Sequence, residues 1–339
     1  YTIYVAALLA VSMVLFTQEK NQKRMLWYFG NMVLSSFALI MGSSDNAYLS
    51  LAAIFGLAPL WLFQTKTGLR RYVISLATFF TVILCINGIN KAYAASVLGI
   101  DSAFNLIAGT KFLPVLVVLL WVIAVVLIFM NRKPQALMNR TTEASMNKIA
   151  VYIWIGVIAV VCLAVRFVLY DANLGGHADK YGALSSYVVF NDEWGTQRGY
   201  VWKRAMEIYT KKLNLLQKIF GYGPDTFALI MQYYYPGEMQ NGRMVIFDSA
   251  HNEYLHYLVT TGFVGMASYL VFMVSSIVAM AKKIKEQPIV AAVMMAVLAY
   301  AIQAVVNINL PIAMPIILQL LAMGVGRKKT ADKAEEKAE

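Results

Sequence analysis

The stretch of sequence that decides the fold is IAVYIWIGVIAVVCLAVRFVLY, residues 149–170. Its 22 residues include one charged side chain, Arg166. A bilayer core about 30 Å thick is crossed by roughly 20 apolar residues in helical form, because a helix satisfies its backbone polar groups within one segment. The stretch therefore predicts a membrane-spanning helix.

The same criterion, applied outward along the chain, finds further apolar stretches on both sides. In total the sequence predicts nine spans, at about residues 1–16, 26–41, 47–63, 72–90, 112–130, 149–170, 258–281, 289–307 and 311–326. We therefore expect an all-α, polytopic membrane protein with about six spans in residues 1–170 and about three in residues 258–326. A charged tail follows at 327–339. The first span begins at Tyr1 without a basic segment before it, which is not the pattern of a cleavable signal peptide.

The composition excludes several classes of protein. Hydrophobic residues make up 60% of the 339 and charged residues 14%, whereas soluble domains have roughly 45–50% and about 25%. A soluble globular enzyme, a disordered regulator and a disulfide-stapled secreted domain are therefore excluded. Cys85 and Cys162 both lie in apolar stretches, so we expect them to be small buried side chains rather than a redox or metal pair.

The net charge of +11 becomes informative when the charges are sorted by loop. The loops at 17–25, 64–71, 131–148 and 282–288 and the tail hold 18 of the 29 Lys and Arg residues and seven acidic residues. The loops predicted on the opposite side of the membrane carry no net charge. Cytoplasmic loops carry the excess of basic residues, so the whole net charge lies on the cytoplasmic face. Basic clusters at span ends indicate membrane lipids as partners and argue against nucleic acid.

One long segment, residues 171–257, lies on the uncharged side and is predicted to be a large, partly helical, extracytoplasmic catalytic loop. It contains all three histidines, His177, His251 and His256. Apolar residues recur at helical spacing from Val201 to Tyr209, which predicts an amphipathic helix along the membrane surface. We expect Gly221-Tyr222-Gly223-Pro224 to end this helix and to start a second one over 224–235.

A third helix in this loop is expected to be capped by Asp248 or Ser249 and to carry His251. Gly262 and Gly265 follow it and indicate a bend or a close helix contact. His251 and His256 are five residues apart, about 140° around a helix, so they do not form a metal pair. We expect no metal and no cofactor.

These residues form an ordered set that resembles a family. The set is Arg198-x-x-x-Trp202, Gly221-x-Gly223-x-x-x-Phe227 and His251-Asn252-x-x-Leu255-x-x-Leu258-x-x-x-Gly262-x-x-Gly265. It resembles the O-antigen ligase and polymerase superfamily of bacterial membrane glycosyltransferases, in which these motifs lie in a large extracytoplasmic loop. The resemblance covers about 196–270 by motif and the rest by topology, and family members usually have more spans.

The resemblance implies a metal-independent transfer of glycan from a polyprenyl-diphosphate-linked donor to an acceptor hydroxyl. The acceptor would be a glycan, a lipid or a protein, and the enzyme would lie in the bacterial cytoplasmic membrane with its active site facing outside. Such a reaction needs a base for the acceptor proton and a cation for the leaving diphosphate. By the resemblance, His251 is the base and Arg198 binds the diphosphate; imidazole and guanidinium suit these tasks.

Other candidates come from the residues themselves. Arg166 is a charge inside an apolar span, which is costly and often functional, so it is a candidate second diphosphate contact, although near a span end it could also snorkel to the interface. Arg243 is a weaker candidate of the same kind. Trp202 either anchors the loop at the interface or stacks on a sugar, whereas Asn252 and Glu253 orient His251 or contact sugar hydroxyls. The motif glycines are expected to be structural: Gly221, Gly223, Gly262 and Gly265.

The sequence leaves three alternatives open. A protein O-oligosaccharyltransferase of the same superfamily would share these motifs. A membrane transporter would place ionisable or helix-breaking residues in mid-membrane, often in two related halves; here mid-span positions are nearly free of charge and no repeat is visible. A non-catalytic scaffold would leave Arg198 and His251 freely replaceable.

Overall fold

The structure is a computed structural model that describes residues 1–42, 44, 46–97, 99–100, 103–130, 140–236, 247–308 and 310–327, without the side chains of 103, 140–147 and 183. It is helical, with no strand among those residues. The α-helices are α1 Thr2–Gln18, α2 Gln22–Met41, α3 Ala47–Leu57, α4 Pro59–Leu62, α5 Lys66–Ala92, α6 Ala103–Gly109, α7 Leu113–Met130, α8 Arg140–Asn173, α9 Ser185–Val188, α10 Trp194–Glu207, α11 Leu215–Phe220, α12 Phe227–Tyr234, α13 Glu253–Thr260, α14 Gly262–Ala281, α15 Pro288–Gln303 and α16 Met314–Gly326.

Helices occupy all nine stretches that the sequence assigns to spans. By length and composition, five helical segments can cross a membrane: Lys66–Ala92, Leu113–Met130, Lys148–Asn173, Gly262–Ala281 and Pro288–Val306. Three shorter apolar segments are Thr2–Gln18, Ala47–Leu62 and Met314–Gly326. The chain is therefore a helical membrane protein, as predicted, and the count of nine spans stays a prediction.

The chain divides into two compact units. The first comprises Tyr1–Gly156, Ser276–Gln303 and Pro311–Glu339, and its centre is α15, which packs against α1, α3 and α16. Most residues of α15 are buried, and alanines such as Ala292 and Ala296, both 0% exposed, allow close helix approach. Near the end of α15, Ser50 Oγ donates a 2.8 Å hydrogen bond to Gln303 Oε1, which ties α3 to α15.

The second unit comprises Val157–Ser275 and Ala304–Leu310 and contains most of the predicted loop. Its core consists of side chains from α10, α12, α13 and the segment before α13, among them Val201, Ile208, Phe227, Ala250 and Val259 at 0% exposure. The apolar face of α10 therefore packs against protein. The pattern indicates that one face is buried but not what buries it, and the position of the helix along the membrane surface stays a prediction.

The predicted long helix also ends earlier than expected. After α10 the chain makes one π-helical turn at Ile208–Lys212, and Leu213 adopts an extended conformation with ψ 138°. Asn214 then begins α11 with a capping box, in which its side chain accepts the Gln217 N–H and the Gln217 side chain accepts the Asn214 N–H.

The two cysteines also differ from expectation, since Cys85 and Cys162 are both exposed on their helices.

Candidate functional site

A left-handed turn precedes Arg198 in the second unit. Gly195, Thr196 and Gln197 have φ of 60°, 60° and 71°, which non-glycine residues rarely adopt. Arg198 Nη1 donates a 2.7 Å hydrogen bond to the Gly195 carbonyl and so folds back over this turn. Gly199 then passes so close to the Asn191 carbonyl that a Cβ atom would lie 1.9 Å from the oxygen. The start of the regular helix is therefore fixed at Arg198.

His251 lies just before α13 rather than on it as we expected, and it also has left-handed backbone geometry, with φ 47°. Its N–H donates to Ser249 Oγ at 3.2 Å. The cap of α13 is Asn252, whose side-chain oxygen accepts the Leu255 N–H at 3.0 Å, rather than Asp248 or Ser249. All three residues are good caps by type. The residues before Asn252 make other contacts instead.

Trp202 supplies one of those contacts. Its indole N–H donates a 2.9 Å hydrogen bond to the carbonyl of Ala250, which is fully buried. The Trp202 ring also packs against Trp194 and Phe190, with ring centroids at 5.2 and 6.2 Å. The helix that begins at Arg198 is thus joined to the segment that presents His251.

The electrostatics of His251 show that Arg198 is near enough to act on it. Burial lowers the pKa of His251 below its usual value of 6.5, and the positive charge of Arg198 lowers it further, whereas Asp248 opposes the shift. A lowered pKa keeps the imidazole neutral at neutral pH. A neutral imidazole can accept a proton, which is the state that a general base requires.

An apolar groove with a volume of about 490 Å³ lies between α10 and α13. Trp202 and Met206 of α10, Asn252 and Leu255 of the α13 segment, and Phe190 contribute to its lining. Lys203 also lines it and forms a 2.8 Å ion pair with Asp192. The groove can therefore hold an apolar group while an amide and an ammonium group stand beside it.

Glu253 is the first residue of α13 and is 1% exposed. A carboxylate in the first turn interacts favourably with the positive end of the helix dipole.

The motif glycines join α11 to the start of α14. The N–H groups of Tyr222 and Gly223 both donate to the Thr260 carbonyl at 2.8 Å. Beside these bonds the backbones of Gly221 and Gly262 are in contact, with φ of 70° and 71°. A Cβ on Gly221 would lie 2.1 Å from the Thr260 oxygen, and a Cβ on Gly262 would lie 2.4 Å from the Ile219 oxygen. A Cβ on Gly265 would lie 2.1 Å from Thr261 Oγ1.

The other candidates are placed as follows. Arg166 is exposed on α8, with no hydrogen bond or ion pair among the residues that the structure describes. Arg243 lies outside the described residues. His256 stacks on Phe227 with ring centroids at 5.4 Å, and burial lowers its pKa. No group of His, Cys, Asp and Glu residues within the described ranges could hold a metal ion.

Sequence reasoning missed three residues near this site. Asp248 acts on the pKa of His251, Ser249 accepts its N–H, and Gln197 has a buried side-chain oxygen without a hydrogen-bond partner among the described residues. Asp248 and Ser249 were considered only as helix caps. Their closeness in sequence to His251 was a usable signal, whereas nothing in the sequence distinguishes Gln197.

Comparison with known protein families matches residues 92–270, more than half of the chain, to the family described as O-Antigen ligase. The matched segment includes the left-handed turn, the glycine contact and His251. A comparison with curated proteins finds no match. The family match agrees with the resemblance noted from the motifs, and the chain belongs to the O-antigen ligase family.

Proposed function

We propose that this protein transfers a glycan from a polyprenyl-diphosphate-linked donor to an acceptor hydroxyl on the outer side of the cytoplasmic membrane. The observation that carries the proposal is the pairing of Arg198 with His251, which are 53 positions apart in the sequence. A permanent cation beside a neutral imidazole is what leaving-group stabilisation and proton abstraction require.

In the proposed reaction, the acceptor oxygen attacks the anomeric carbon of the donor sugar while neutral His251 takes the hydroxyl proton. The bond between the anomeric carbon and the diphosphate oxygen breaks, and the electron pair leaves with the polyprenyl diphosphate. Arg198 balances the charge on the departing diphosphate, for which its planar guanidinium is well suited. Attack from the face opposite the leaving group inverts the anomeric carbon.

Two further features support this assignment. The apolar groove beside Asn252 gives room for an apolar part of a substrate next to the polar groups. The basic residues concentrate in the other set of loops, which supports an extracytoplasmic position for residues 171–257 by the positive-inside rule. Nucleotide sugars are confined to the cytoplasm, so a lipid-linked diphosphate is the activated donor proposed for that side.

The test replaces His251 with Ala and, separately, Arg198 with Ala, and displays the surface glycans of the cells on a gel. Both variants should lose product. Loss of the long-chain ladder with single units retained indicates a polymerase, whereas long chains accumulating on the carrier indicate a ligase. Loss of glycan from a protein band indicates a protein acceptor.

The matched control for the histidine is His177→Ala. His177 is mostly exposed and its Nδ1 lies 2.8 Å from Asp171 Oδ1, outside the contacts of His251. This variant should retain normal glycan. Membrane levels and thermal stability of all variants show whether each protein folds. Folded His251→Ala and Arg198→Ala proteins that both make wild-type glycan would refute the assignment.

A further inference from the structure

The short helix α11 carries an apolar face that no other part of the described protein covers. None of its residues is buried. Leu215, Leu216 and Phe220 are 73%, 68% and 63% exposed. At 3.6 residues per turn the three positions fall within an arc of about 140°, so they occupy one broad side of the helix. Gln217 lies on the other side of the helix, where its side chain completes the capping box and donates a hydrogen bond to the Tyr222 hydroxyl.

Basic residues predominate in the chain around this face, although Glu207 precedes it and interacts with Lys211. Between Ile208 and Pro224 the chain has three lysines, Lys211, Lys212 and Lys218, and no acidic residue. Lys211 and Lys212 are exposed directly before α11. Lys218 donates a 2.8 Å hydrogen bond to the Thr210 carbonyl, which joins the lysine-bearing turn to the helix.

The position of α11 follows from its attachment to α14. Immediately after Phe220, Gly221 contacts Gly262, the first residue of a helix long and apolar enough to span a membrane. The two hydrogen bonds from Tyr222 and Gly223 to Thr260 fix the same junction. α11 is therefore held at the level where the chain enters the apolar stretch of α14.

From these three observations we infer that α11 lies in the headgroup region of the membrane, with Leu215, Leu216 and Phe220 inserted among acyl chains and Lys211 and Lys212 on anionic lipid headgroups. Apolar side chains beside lysines are the pattern of an interfacial anchor. The partner is a lipid surface that carries negative charge. The contact fixes the height of the loop above the bilayer and does not depend on the proposed glycan transfer.

The test uses the full chain in lipid nanodiscs. Cys85 and Cys162 are replaced by Ala, and Leu216→Cys is labelled with an environment-sensitive fluorophore. In nanodiscs containing phosphatidylglycerol the label should be quenched by lipids that carry a shallow nitroxide and protected several-fold from aqueous iodide. Asp179→Cys, at an exposed acidic residue of the same unit, is the reference for the iodide accessibility of a solvent-exposed site.

A second arm tests the charges. With Lys211→Gln and Lys212→Gln together, protection of the Leu216 label should weaken at least fivefold in anionic nanodiscs and stay unchanged in zwitterionic ones, since each surface lysine contributes roughly fivefold. Iodide quenching equal to that of the Asp179 label overturns the inference. Protection without nitroxide quenching also overturns it, because protein then covers the face. Protection that is equal in both lipids overturns the role of the headgroups. None of these readouts depends on enzyme activity.

Discussion

The contact between Gly221 and Gly262 allows a quantitative test of how the loop is held. Replacing Gly221 with Ala places a Cβ 2.1 Å from the Thr260 oxygen and 2.7 Å from the Gly262 nitrogen. These are backbone atoms, so the two segments must separate. The matched control is Gly223→Ala, where φ is 121° but no atom lies within 4 Å of the added Cβ.

The expected difference follows from the hydrogen bonds at the junction. Both substitutions force a side chain into a conformation suited to glycine, which costs about 1–3 kcal/mol in either variant. Gly221→Ala additionally breaks the bonds from the Tyr222 and Gly223 N–H groups to Thr260, each worth about 1 kcal/mol. The additional loss of about 2 kcal/mol corresponds to roughly a 30-fold change in the opening equilibrium.

Hydrogen exchange measured by mass spectrometry reports this opening directly. The amides of Tyr222 and Gly223 should exchange about 30-fold faster in Gly221→Ala than in Gly223→Ala. A third variant, Gly88→Ala, adds a methyl group in open space on α5 and should leave both amides unchanged. Equal exchange rates in the Gly221 and Gly223 variants would show that the close contact does not hold the junction.

Three further predictions concern the site around His251. Since the pKa of His251 is lowered, the acid limb of the pH profile of kcat/KM should lie below pH 6.5. Arg198→Gln removes the charge that lowers this pKa and should move the limb of the residual activity to higher pH, whereas Asp248→Asn should move it to lower pH. Limbs that do not move would contradict the electrostatic pairing. Trp202→Phe keeps an aromatic ring but loses the hydrogen bond to a buried carbonyl, which is worth about 1 kcal/mol. Turnover should therefore fall about fivefold with KM little changed. An equal fall in Trp202→Ala and Trp202→Phe would assign the whole effect to that bond. Asn252→Ala should destabilise the loop by about 1 kcal/mol in thermal unfolding while Asn252→Asp retains the cap, and equal losses in both would argue against capping.

The helical membrane fold could be predicted because it depends on local properties. Length and hydropathy alone placed a helix in every expected span, including the stretch around Arg166. What buries a helix face is not local. The stripe that begins at Val201 is the same whether lipid or protein covers it, and the structure shows protein.

The candidate site was less accessible from sequence for a physical reason. The pairing of Arg198 with His251 was suggested by the resemblance and not by periodicity, since contacts over 53 positions leave no local pattern. Thr196, Gln197 and His251 have left-handed backbone conformations, which are rare for residues other than glycine and leave no mark in hydropathy or spacing. The choice of Asn252 over Ser249 as the cap was likewise not predictable, since both residue types are good caps.

The left-handed backbone of His251 has a consequence for stability. A β-carbon at φ 47° costs the folded protein roughly 1 kcal/mol, which glycine would avoid and asparagine would reduce. Selection for stability alone would therefore place another residue there. Glycine also gives the unfolded chain more conformational freedom, which offsets the relief of strain. His251→Gly should therefore melt near the temperature of the wild type while losing the imidazole, and a stable, inactive protein would suit the trapping of bound donor.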